Sequence, residues 1–465
     1  MAHRMKQWQQ GQVVEVTIAD LNDQGAGVGR LDNWVVFVPD TVPGDRVQVR
    51  LVQVKRQYGL GQLQQVLTPS PDRIRPACIV ADKCGGCQWQ TVAYERQLAV
   101  KHNQVVQALQ RLAAIPLPPI PAGIASRIAP ILAAPNPLGY RNKATYPLRQ
   151  STTGLVQAGY YRKGSHRLIN LNQCPVQDPR LDPLLATIKQ DLTAQGWSIY
   201  DEVTHQGTLR HLALRVGRRT GELLLTLVVS DYVLPNLETQ VQTWLARYPN
   251  LVGVCLNHNP DRTNAIFGET TACVAGRSYL YEEFAGLRFR VEPTTFFQVY
   301  TEQAEQLLAQ LSDRLPLTEA MTLVDAYCGV GSFTLPLAQR VRQAIGLEVS
   351  AAAIAQARIN AEENQIANVQ FQAGRVEDLL PQLTVQPDVV LLDPPRKGCD
   401  RQVLDTLLTR QPLHIVYISC KPATLARDLK HLCQGGTYQV QWVQPADFFP
   451  QTPHVECAVW LQRCP

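Results

Sequence analysis

The sequence predicts an α/β protein with three domains: a small N-terminal β-barrel, a mostly β central domain and a C-terminal doubly wound parallel sheet. Three observations support this prediction. Short β-patterned segments separated by glycine and proline turns fill residues 11–69, paired β segments dominate residues 140–290, and strands alternate with helix-length segments from residue 293. A chain of 465 residues is also too long for one hydrophobic core. We therefore predict domains at residues 1–69, 70–292 and 293–465.

The first domain has the pattern of a small barrel. Its β segments include VVEVTIAD, WVVFVPD and RVQVRLVQV, and their density suits an oligonucleotide-binding (OB-like) barrel. The stretch resembles a TRAM domain, a small RNA-binding barrel, in its turn Phe37-Val38-Pro39 and Pro43-Gly44-Asp45. The alternative is a barrel that serves only in packing or as a dimer contact.

The central domain begins with a predicted amphipathic helix. Residues 91–113 carry one apolar stripe, formed by Tyr94, Leu98, Val105, Leu109 and Leu112. The segment IPLPPIPAGIASRIAPILAAPNP follows and is too rich in proline for a helix or a central strand, so it predicts a stiff linker. Further along, LRHLALRV and LLLTLVVS flank the turn GRRTGE and form the clearest hairpin.

The composition indicates a folded protein without a membrane segment. Hydrophobic residues make up 45% and charged residues 18%, and the net charge of +5 permits a polyanionic partner without requiring one. The N-terminus has no apolar signal region, and no run reaches the roughly 18 apolar residues of a membrane span. We therefore expect a cytoplasmic protein whose 12 cysteines are thiols or metal ligands rather than disulfides.

The C-terminal domain has the alternation of a Rossmann-like fold. The predicted strands are TLVDAY, QAIGLEVS, NVQFQAG, DVVLLDPP, HIVYISC and, as the last strand, AVWLQRC. Gly329 and Gly331 follow the first strand, and Glu348 ends the second near the position where an acid binds ribose hydroxyls. The loop lacks the full G-x-G-x-x-G of dinucleotide sites. S-adenosylmethionine (SAM), with a ribose but no phosphate, suits this shorter loop; the alternative is a structural glycine turn with a surface glutamate.

Residues at other predicted strand ends suggest the chemistry. Asp393 ends the fourth strand, and Arg396 follows D-P-P where methylases of exocyclic amines carry an aromatic residue, which disfavours amine methylation. Cys420 lies beside a lysine and close to a helix N-terminus, where a thiol tends to ionise. A thiolate that adds to carbon 6 of uracil lets carbon 5 take a methyl group, and a base must then remove the proton from carbon 5. Glu456 is the candidate base; the alternative for Cys420 is a buried inert thiol.

These motifs resemble the RNA uracil-5-methyltransferase family over nearly the whole chain, and within it the RlmD-like group of 23S rRNA methylases. SCKPATLARDL resembles the family's nucleophile motif and HVECAVWL its general-base motif, which implies Cys420 as nucleophile and Glu456 as proton acceptor. The stretches PTTFFQVY, DAYCGVGSFTLPLA, GLEVS and LLDPPRKG resemble its cofactor motifs and imply cofactor contacts from Gln298, Tyr327, Glu348 and Asp393. The family usually has asparagine where Tyr300 stands, a departure that concerns local cofactor contacts.

Four cysteines are candidate metal ligands. Cys78, Cys84 and Cys87 have C-x5-C-x2-C spacing, and Cys174 is a distant fourth candidate. The spacing alone leaves zinc and an iron–sulfur cluster both open. The family resemblance implies a 4Fe-4S cluster on these four residues, with a structural or RNA-contacting role rather than redox catalysis.

Two basic segments rich in aromatic residues, YRNKATYPLR and GYYRKGSHR, suggest contacts with RNA. Their candidates for binding phosphates are Arg141, Lys143, Arg162, Lys163 and Arg167. The alternative is a solvated face with ordinary core tyrosines.

We expect an RNA substrate whose target uridine is flipped from its stack. The TRAM-like barrel and the cysteine pattern favour 23S rRNA, because bacterial tRNA enzymes of the family usually lack both. The same reaction on the T-loop of tRNA is the alternative, and a non-catalytic RNA-binding or redox-sensing iron–sulfur protein is a remote one. No obligate protein partner is inferred.

Overall fold

The computed structural model describes residues 8–112 and 127–465. This part of the chain contains a closed barrel, two seven-stranded sheets and a two-stranded hairpin. The structure confirms the predicted α/β class, with an N-terminal barrel and a C-terminal Rossmann-like sheet. No helix among the described residues is long and apolar enough to cross a membrane. The predicted proline-rich linker lies partly outside the described residues.

The N-terminal barrel closes through five strands. They are β1 (Val13–Leu21), β2 (Gly27–Leu31), β3 (Trp34–Val38), β4 (Arg46–Val54) and β5 (Tyr58–Thr68), in the order β1-β2-β3-β5-β4. Alternate residues of β1 and β4 point inward and form the barrel core. In the predicted Pro-Gly-Asp turn, the Asp45 carboxylate accepts hydrogen bonds from the amides of Val42 (2.7 Å) and Ser70 (2.9 Å) and pairs with Arg73 (2.5 Å). Asp45 thereby fixes the barrel to the segment that leaves it.

The central sheet follows helix α1 (Tyr94–Arg111). Its elements are β6 (Lys143–Gln150), β7 (Val156–Tyr161), β8 (Leu168–Asn170), α2 (Leu181–Gln195), β9 (Leu209–Val216), β10 (Leu223–Val229), α3 (Leu237–Arg247), β11 (Leu251–His258) and β12 (Thr270–Gly276). The strand order is β12-β11-β10-β9-β6-β7-β8, and β9 and β10 form the predicted hairpin. Helices α2 and α3 cover one face of this sheet, and Leu224 and Cys255 on its other face belong to the same core as Phe284 and Phe289.

The C-terminal sheet follows a hairpin of β13 (Leu280–Phe284) and β14 (Leu287–Val291). Its strands are β15 (Thr322–Ala326), β16 (Gln343–Glu348), β17 (Val369–Ala373), β18 (Val389–Leu392), β19 (His414–Ser419), β20 (Tyr438–Ala446) and β21 (Glu456–Arg463). Its helices are α4 (Thr301–Arg314), α5 (Thr334–Ala338), α6 (Ala351–Glu363), α7 (Val376–Leu379), α8 (Arg401–Arg410) and α9 (Pro422–Cys433), with a 3₁₀ turn at Leu380–Gln382. The strand order is β17-β16-β15-β18-β19-β21-β20.

The direction of the last two strands brings the two predicted catalytic residues together. Strands β15 to β19 are parallel, whereas β21 is antiparallel to β19 and pairs Cys457 with Ser419. The first residue of β21, Glu456, therefore lies at the sheet edge where β19 ends and Cys420 follows. The predicted last strand is β21, which begins earlier than expected; β20 was not predicted.

Helix α1 packs against α9 and β20 of the C-terminal sheet. Residues 127–132 also run along β20, where the amides of Ala129 and Leu132 donate to the carbonyls of Val443 and Pro445 (both 2.8 Å). A proline-rich segment can lie beside an edge strand but not inside a sheet, because proline has no backbone N–H to donate to a neighbouring strand. These contacts join parts of the predicted central range to the C-terminal sheet, and the three domain ranges stay predictions.

Candidate active site

A cleft of about 1080 Å³ opens at the carboxyl edge of the C-terminal sheet. Ligands bind at this edge in open α/β sheets, where strand order reverses. Its lining includes all six residues predicted for catalysis and cofactor binding, namely Gln298, Tyr327, Glu348, Asp393, Cys420 and Glu456. Arg141 and the segment 294–299 close the cleft from the other side. The structure therefore gathers into one cleft residues that span most of the C-terminal half of the chain.

The loop after β15 has an unusual backbone. Tyr327, Gly329 and Gly331 have φ angles of 75°, 55° and 84°, in the left-handed region. A side chain on Gly331 would come within 3.2 Å of Leu335, so glycine is required there on both counts. A tyrosine in this region costs about 1–3 kcal/mol, and such strain is typical of ligand-binding loops.

The carboxylate of Glu348 is held by the loop it faces. The amide of Gly329 donates to Oε2 (3.3 Å) and the amide of Ser350 donates to Oε1 (2.8 Å). A fixed acid at the end of the second strand is the arrangement that binds ribose hydroxyls. This cradle and the buried carboxylates around it suit a cationic nucleoside cofactor such as SAM.

Asp325, at the end of β15, is a buried cleft residue that the sequence reasoning missed. Burial raises the pKa of Asp325 to about 8, although Thr334 Oγ1 donates to its Oδ2 at 2.5 Å, and Asp393 and Glu348 raise the pKa further. The signal in the sequence was an acid two residues before Tyr327, where the Tyr-Cys-Gly-x-Gly turn begins.

Cys420 follows β19 and faces the cleft. Burial raises the pKa of its thiol, Glu456 raises it further, and Arg396 lowers it through its charge and a hydrogen bond. The direction of this pKa shift is opposite to the expectation that the position of Cys420 promotes ionisation, and burial is its largest cause. Lys421, the lysine noted in the sequence, is exposed, and the cation that favours the thiolate is Arg396.

Two carboxylates share the catalytic end of the cleft. Burial raises the pKa of Glu456 well above its usual range, Asp393 raises it further and Arg396 lowers it. Burial also raises the pKa of Asp393 to about 7. Two buried acids this close do not both ionise readily, and Arg396 is the cation that favours the ionised form of Glu456.

Gln298 and Tyr300 belong to the segment that closes the cleft. Gln298 lines it, and its carbonyl accepts a hydrogen bond from Asn142 Nδ2 (2.9 Å). Tyr300 is buried behind the cleft, stacks on Tyr140 at 4.8 Å between ring centroids, and exchanges hydrogen bonds of 2.8 Å with the backbone of Asn136. Tyr300 is therefore not part of the lining of the cleft.

The four predicted cluster cysteines approach one another. Burial raises the pKa of Cys174 to about 12, and the charges of Cys87, Cys78 and Cys84 raise it further. Across residues 8–112 and 127–465, however, no group of three or more His, Cys, Asp or Glu side chains is placed to hold a metal ion. The 4Fe-4S assignment therefore stays a prediction.

The predicted basic residues divide between two places. Arg141 lines the cleft, whereas Lys163 Nζ pairs with Asp40 of the barrel at 2.5 Å. Arg162 lies beside Lys163 and its amide donates to the Arg167 carbonyl (2.9 Å). Arg141 and Lys163 therefore contact different parts of the protein.

The chain is similar to known proteins along almost its whole length. The TRAM domain matches residues 7–64, and the family described as tRNA (Uracil-5-)-methyltransferase matches residues 270–385 and 375–464. The chain is 63% identical over 454 residues to an uncharacterized RNA methyltransferase of Nostoc sp. (strain PCC 7120), a match covering 98% of this chain and 97% of the relative. It is 39% identical over 453 residues to another from Halalkalibacterium halodurans, covering 97% of each.

A solved structure also resembles the chain along almost its full length. It is the Pyrococcus abyssi tRNA (uracil-54, C5)-methyltransferase in complex with S-adenosyl-L-homocysteine. The similarity has a TM-score of 0.75 at 26% identity and covers 96% of this chain and 100% of that chain. The shared architecture therefore includes the barrel, the central sheet and the C-terminal sheet.

Proposed function

Because the chain belongs to the uracil-5-methyltransferase family of SAM-dependent RNA methyltransferases, we propose that it methylates carbon 5 of a uridine in RNA through a covalent adduct on Cys420. The observation that carries this proposal is the single cleft shared by Cys420, Glu456 and the loop after β15. A nucleophile and a base in one cleft suit addition followed by elimination.

The proposed reaction consists of addition, methyl transfer and elimination. Cys420 Sγ forms a bond to carbon 6, and the electrons of the carbon 5–carbon 6 double bond move toward the O4 carbonyl, which makes carbon 5 nucleophilic. SAM supplies the methyl group that carbon 5 takes. Glu456 then accepts the proton from carbon 5, the double bond re-forms, and the Cys420 thiolate leaves. Arg396 favours the thiolate form of Cys420 at the start and at the end, because its charge lowers the pKa of that thiol.

We assign SAM binding to Gln298, Tyr327, Glu348 and Asp393. The support is their place in the cleft, the fixed carboxylate of Glu348 and the left-handed backbone at Tyr327. Asp325 joins this set, because its buried carboxylate lies behind the same loop.

Labelling with a substrate analogue tests the chemistry. RNA that contains 5-fluorouridine should form a stable adduct with the wild-type protein, since fluorine on carbon 5 cannot leave as a proton. Cys420→Ala should form no adduct and no product while its affinity for S-adenosylhomocysteine stays within about twofold. Cys433→Ala is the matched control and should keep both activities, because Cys433 ends α9 outside the lining of the cleft. Methylation by Cys420→Ala at the wild-type rate would refute the proposal.

For the substrate we propose 23S rRNA, with the T-loop of tRNA as the alternative. The barrel and the cysteine pattern support rRNA through the family resemblance. The tRNA enzyme of Pyrococcus abyssi aligns with 96% of this chain, so the three-domain architecture does not by itself separate the two substrates. Mapping 5-methyluridine in 23S rRNA and tRNA from a strain that lacks the gene decides between them. A mark lost from tRNA alone would establish the alternative.

We also propose that Cys78, Cys84, Cys87 and Cys174 supply the thiolates for a 4Fe-4S cluster. Two observations support this proposal. The first is the spacing of the cysteines in the sequence. The second is that the charges of Cys78 and Cys84 raise the pKa values of the Cys87 and Cys174 thiols, so the four side chains lie near one another. Protein purified without oxygen should contain about four iron atoms per chain. Cys84→Ser should lose the iron, whereas Cys255→Ser, a buried cysteine outside this set, should keep it. Stoichiometric zinc in the wild-type protein would contradict the assignment.

A further inference from the structure

A turn at residues 395–398 carries Arg396 into the active-site cleft. It lies within residues 393–400, which separate β18 from α8 and belong to neither element. No strand ladder or helix therefore fixes the backbone of Arg396. Its guanidinium donates a hydrogen bond to the Cys420 side chain, so the position of this cation depends on what holds the turn.

Helix α9, which begins two residues after Cys420, holds the end of this turn through two backbone groups. Arg427 Nη2 donates to the carbonyl of Lys397 (2.9 Å). The amide of Cys399 donates to Asp428 Oδ2 (3.0 Å). The helix that follows the proposed nucleophile therefore also supports the cation beside it.

Asp428 is the centre of this support, and it is only 1% exposed. Its Oδ2 also accepts a hydrogen bond from the hydroxyl of Tyr417 (2.6 Å), on the strand that leads to Cys420, and its Oδ1 accepts one from Arg427 Nε (2.7 Å). A buried carboxylate is costly unless hydrogen bonds and an opposite charge compensate it, and Asp428 has both. Because Asp428 also fixes Arg427, it holds the turn both directly and through that side chain.

The packing of Gly398 shows how closely the turn lies against α9. Gly398 has a φ angle of 80°, and its amide donates to the carbonyl of Pro395 (2.8 Å). A Cβ atom on this residue would lie 2.5 Å from both Asp428 Oδ2 and Arg427 Nη2. Only glycine fits between the turn and these two side chains without moving them.

An acid at the other end of the same sheet has a different kind of partner. Asp388 Oδ2 accepts a hydrogen bond from the amide of Thr322 (2.8 Å), the first residue of β15. That contact joins the start of a strand to its neighbour, away from the cleft. The contacts of Asp428 instead reach the segment that flanks Arg396, so their loss should be felt in the active site.

The Cys420 thiol is sensitive to the distance of Arg396. Burial, Glu456 and Asp393 raise the pKa of this thiol, whereas Arg396 lowers it. Electrostatic attraction falls with distance, so a guanidinium that moves away no longer offsets the two acids. A loosened turn should therefore leave less thiolate on Cys420 at a given pH.

We propose that Asp428 is a positioning residue, which holds the turn 395–398 on α9 and thereby keeps Arg396 beside Cys420. The inference rests on the proposed function only in taking Cys420 as the nucleophile. Asp428 does not line the cleft, so it acts through Arg396 rather than on a substrate. Its hydrogen bonds give β19, α9 and the turn one shared anchor.

The test measures how fast Cys420 reacts with iodoacetamide in the full-length protein at pH 8. The thiolate is the reacting form, and mass spectrometry of the peptide that contains Cys420 separates it from the other cysteines. Arg396→Met should react about tenfold more slowly, because a nearby opposite charge shifts a pKa by about 1 or more. Asp428→Leu should slow the reaction in the same direction. The double variant should match Arg396→Met, since the guanidinium that Asp428 positions is already absent.

Two further variants separate positioning from a general loss of stability. Asp388→Leu makes the same chemical change away from the turn and should react at the wild-type rate. Gly398→Ala moves the turn by another route, because its methyl group meets Asp428 and Arg427. It should slow the reaction of Cys420 alone and have no effect when combined with Arg396→Met.

A wild-type rate in Asp428→Leu would overturn the proposal, as would a double variant clearly slower than Arg396→Met. If Asp428→Leu does not fold, Gly398→Ala decides the question by the same two criteria. The reaction with iodoacetamide needs neither RNA nor a methyl donor. A failure of the proposed uridine chemistry would therefore leave these rates unchanged and would appear only in the methylation assay.

Discussion

Replacing Lys101 by methionine tests whether α1 supports the wall of the active-site cleft. The Lys101 ammonium donates to Asp447 Oδ1 (2.6 Å) and to the carbonyl of Phe449 (3.0 Å), and both side chains of the ion pair are 0% exposed. Phe449 lines the cleft. Breaking a buried pair by removing one partner costs about 3–5 kcal/mol, because the remaining charge stays buried without compensation.

The free-energy cost of Lys101→Met depends on the hydrogen bonds that Asp447 would keep. In Lys101→Met the carboxylate keeps the amide of Phe449 (3.1 Å) and the neighbouring Tyr94 hydroxyl, neither of which carries a compensating positive charge. Asp447 must then take up a proton or draw the loop 447–451 toward solvent. That loop is also held by Gln97, whose side chain donates to Gln451 Oε1 (3.1 Å) and accepts from its amide (2.9 Å). We therefore expect the loop to open locally rather than the C-terminal sheet to unfold.

Amide hydrogen exchange over residues 447–451, with methylation kinetics, measures this effect. A multidomain protein has no single free energy of unfolding, so a local opening free energy is the suitable quantity. Lys101→Met should lower that free energy by about 3 kcal/mol or more and slow methylation by about 10²-fold, the typical effect of misplacing a group near the reaction. The double variant Lys101→Met/Asp447→Leu removes both charges and should recover most of the protection. Unchanged exchange in the single variant, or equal loss in the double, would refute the reasoning.

Three further changes test the chemistry and the cofactor loop. Glu456→Gln should still attack and accept a methyl group but release product about 10²–10⁴ times more slowly, so methylated protein–RNA adducts should persist on denaturing gels; product release at the wild-type rate would exclude Glu456 as the base. Arg396→Met should move the rising limb of the rate–pH profile to higher pH, because the guanidinium lowers the pKa of both Cys420 and Glu456; rates from pH 6 to 9 that overlay the wild type would contradict this. Gly331→Ala should reduce the binding free energy of S-adenosylhomocysteine, measured by calorimetry, by about 1–2 kcal/mol, because alanine is strained in the left-handed backbone of this position. Unchanged affinity would mean that the loop takes up another conformation without cost.

Strand ends were the part of the site most accessible from sequence. In a parallel sheet all carboxyl ends meet at one edge, so residues that follow different strands are expected in one cleft. Asp393 and Cys420 follow β18 and β19, and Glu348 ends β16. Glu456 is the exception, because it begins a strand. It reaches the same edge only because β21 runs antiparallel to β19. The direction of a strand cannot be predicted from a local sequence such as HVECAVWL.

Burial of polar residues was the part that local pattern could not reveal. The stripe of apolar residues predicted helix α1, yet its buried face also includes Gln97 and Lys101. The partner of Lys101 lies 346 positions along the chain, so no spacing rule could have assigned it. The same limit explains the wrong direction for the Cys420 pKa. Its sequence neighbours favour the thiolate, but the packing that surrounds the thiol disfavours any charge.

The acids of the cleft suit a cationic ligand. They lie at the edge of the C-terminal sheet, where burial raises the pKa of Asp325 to about 8 and of Asp393 to about 7. Asp393 and Glu348 also raise the pKa of Asp325, so the neighbouring carboxylates disfavour one another's charges in the free protein. Because a cationic methyl donor favours the ionised form of each acid, we expect these carboxylates to release protons when the donor binds.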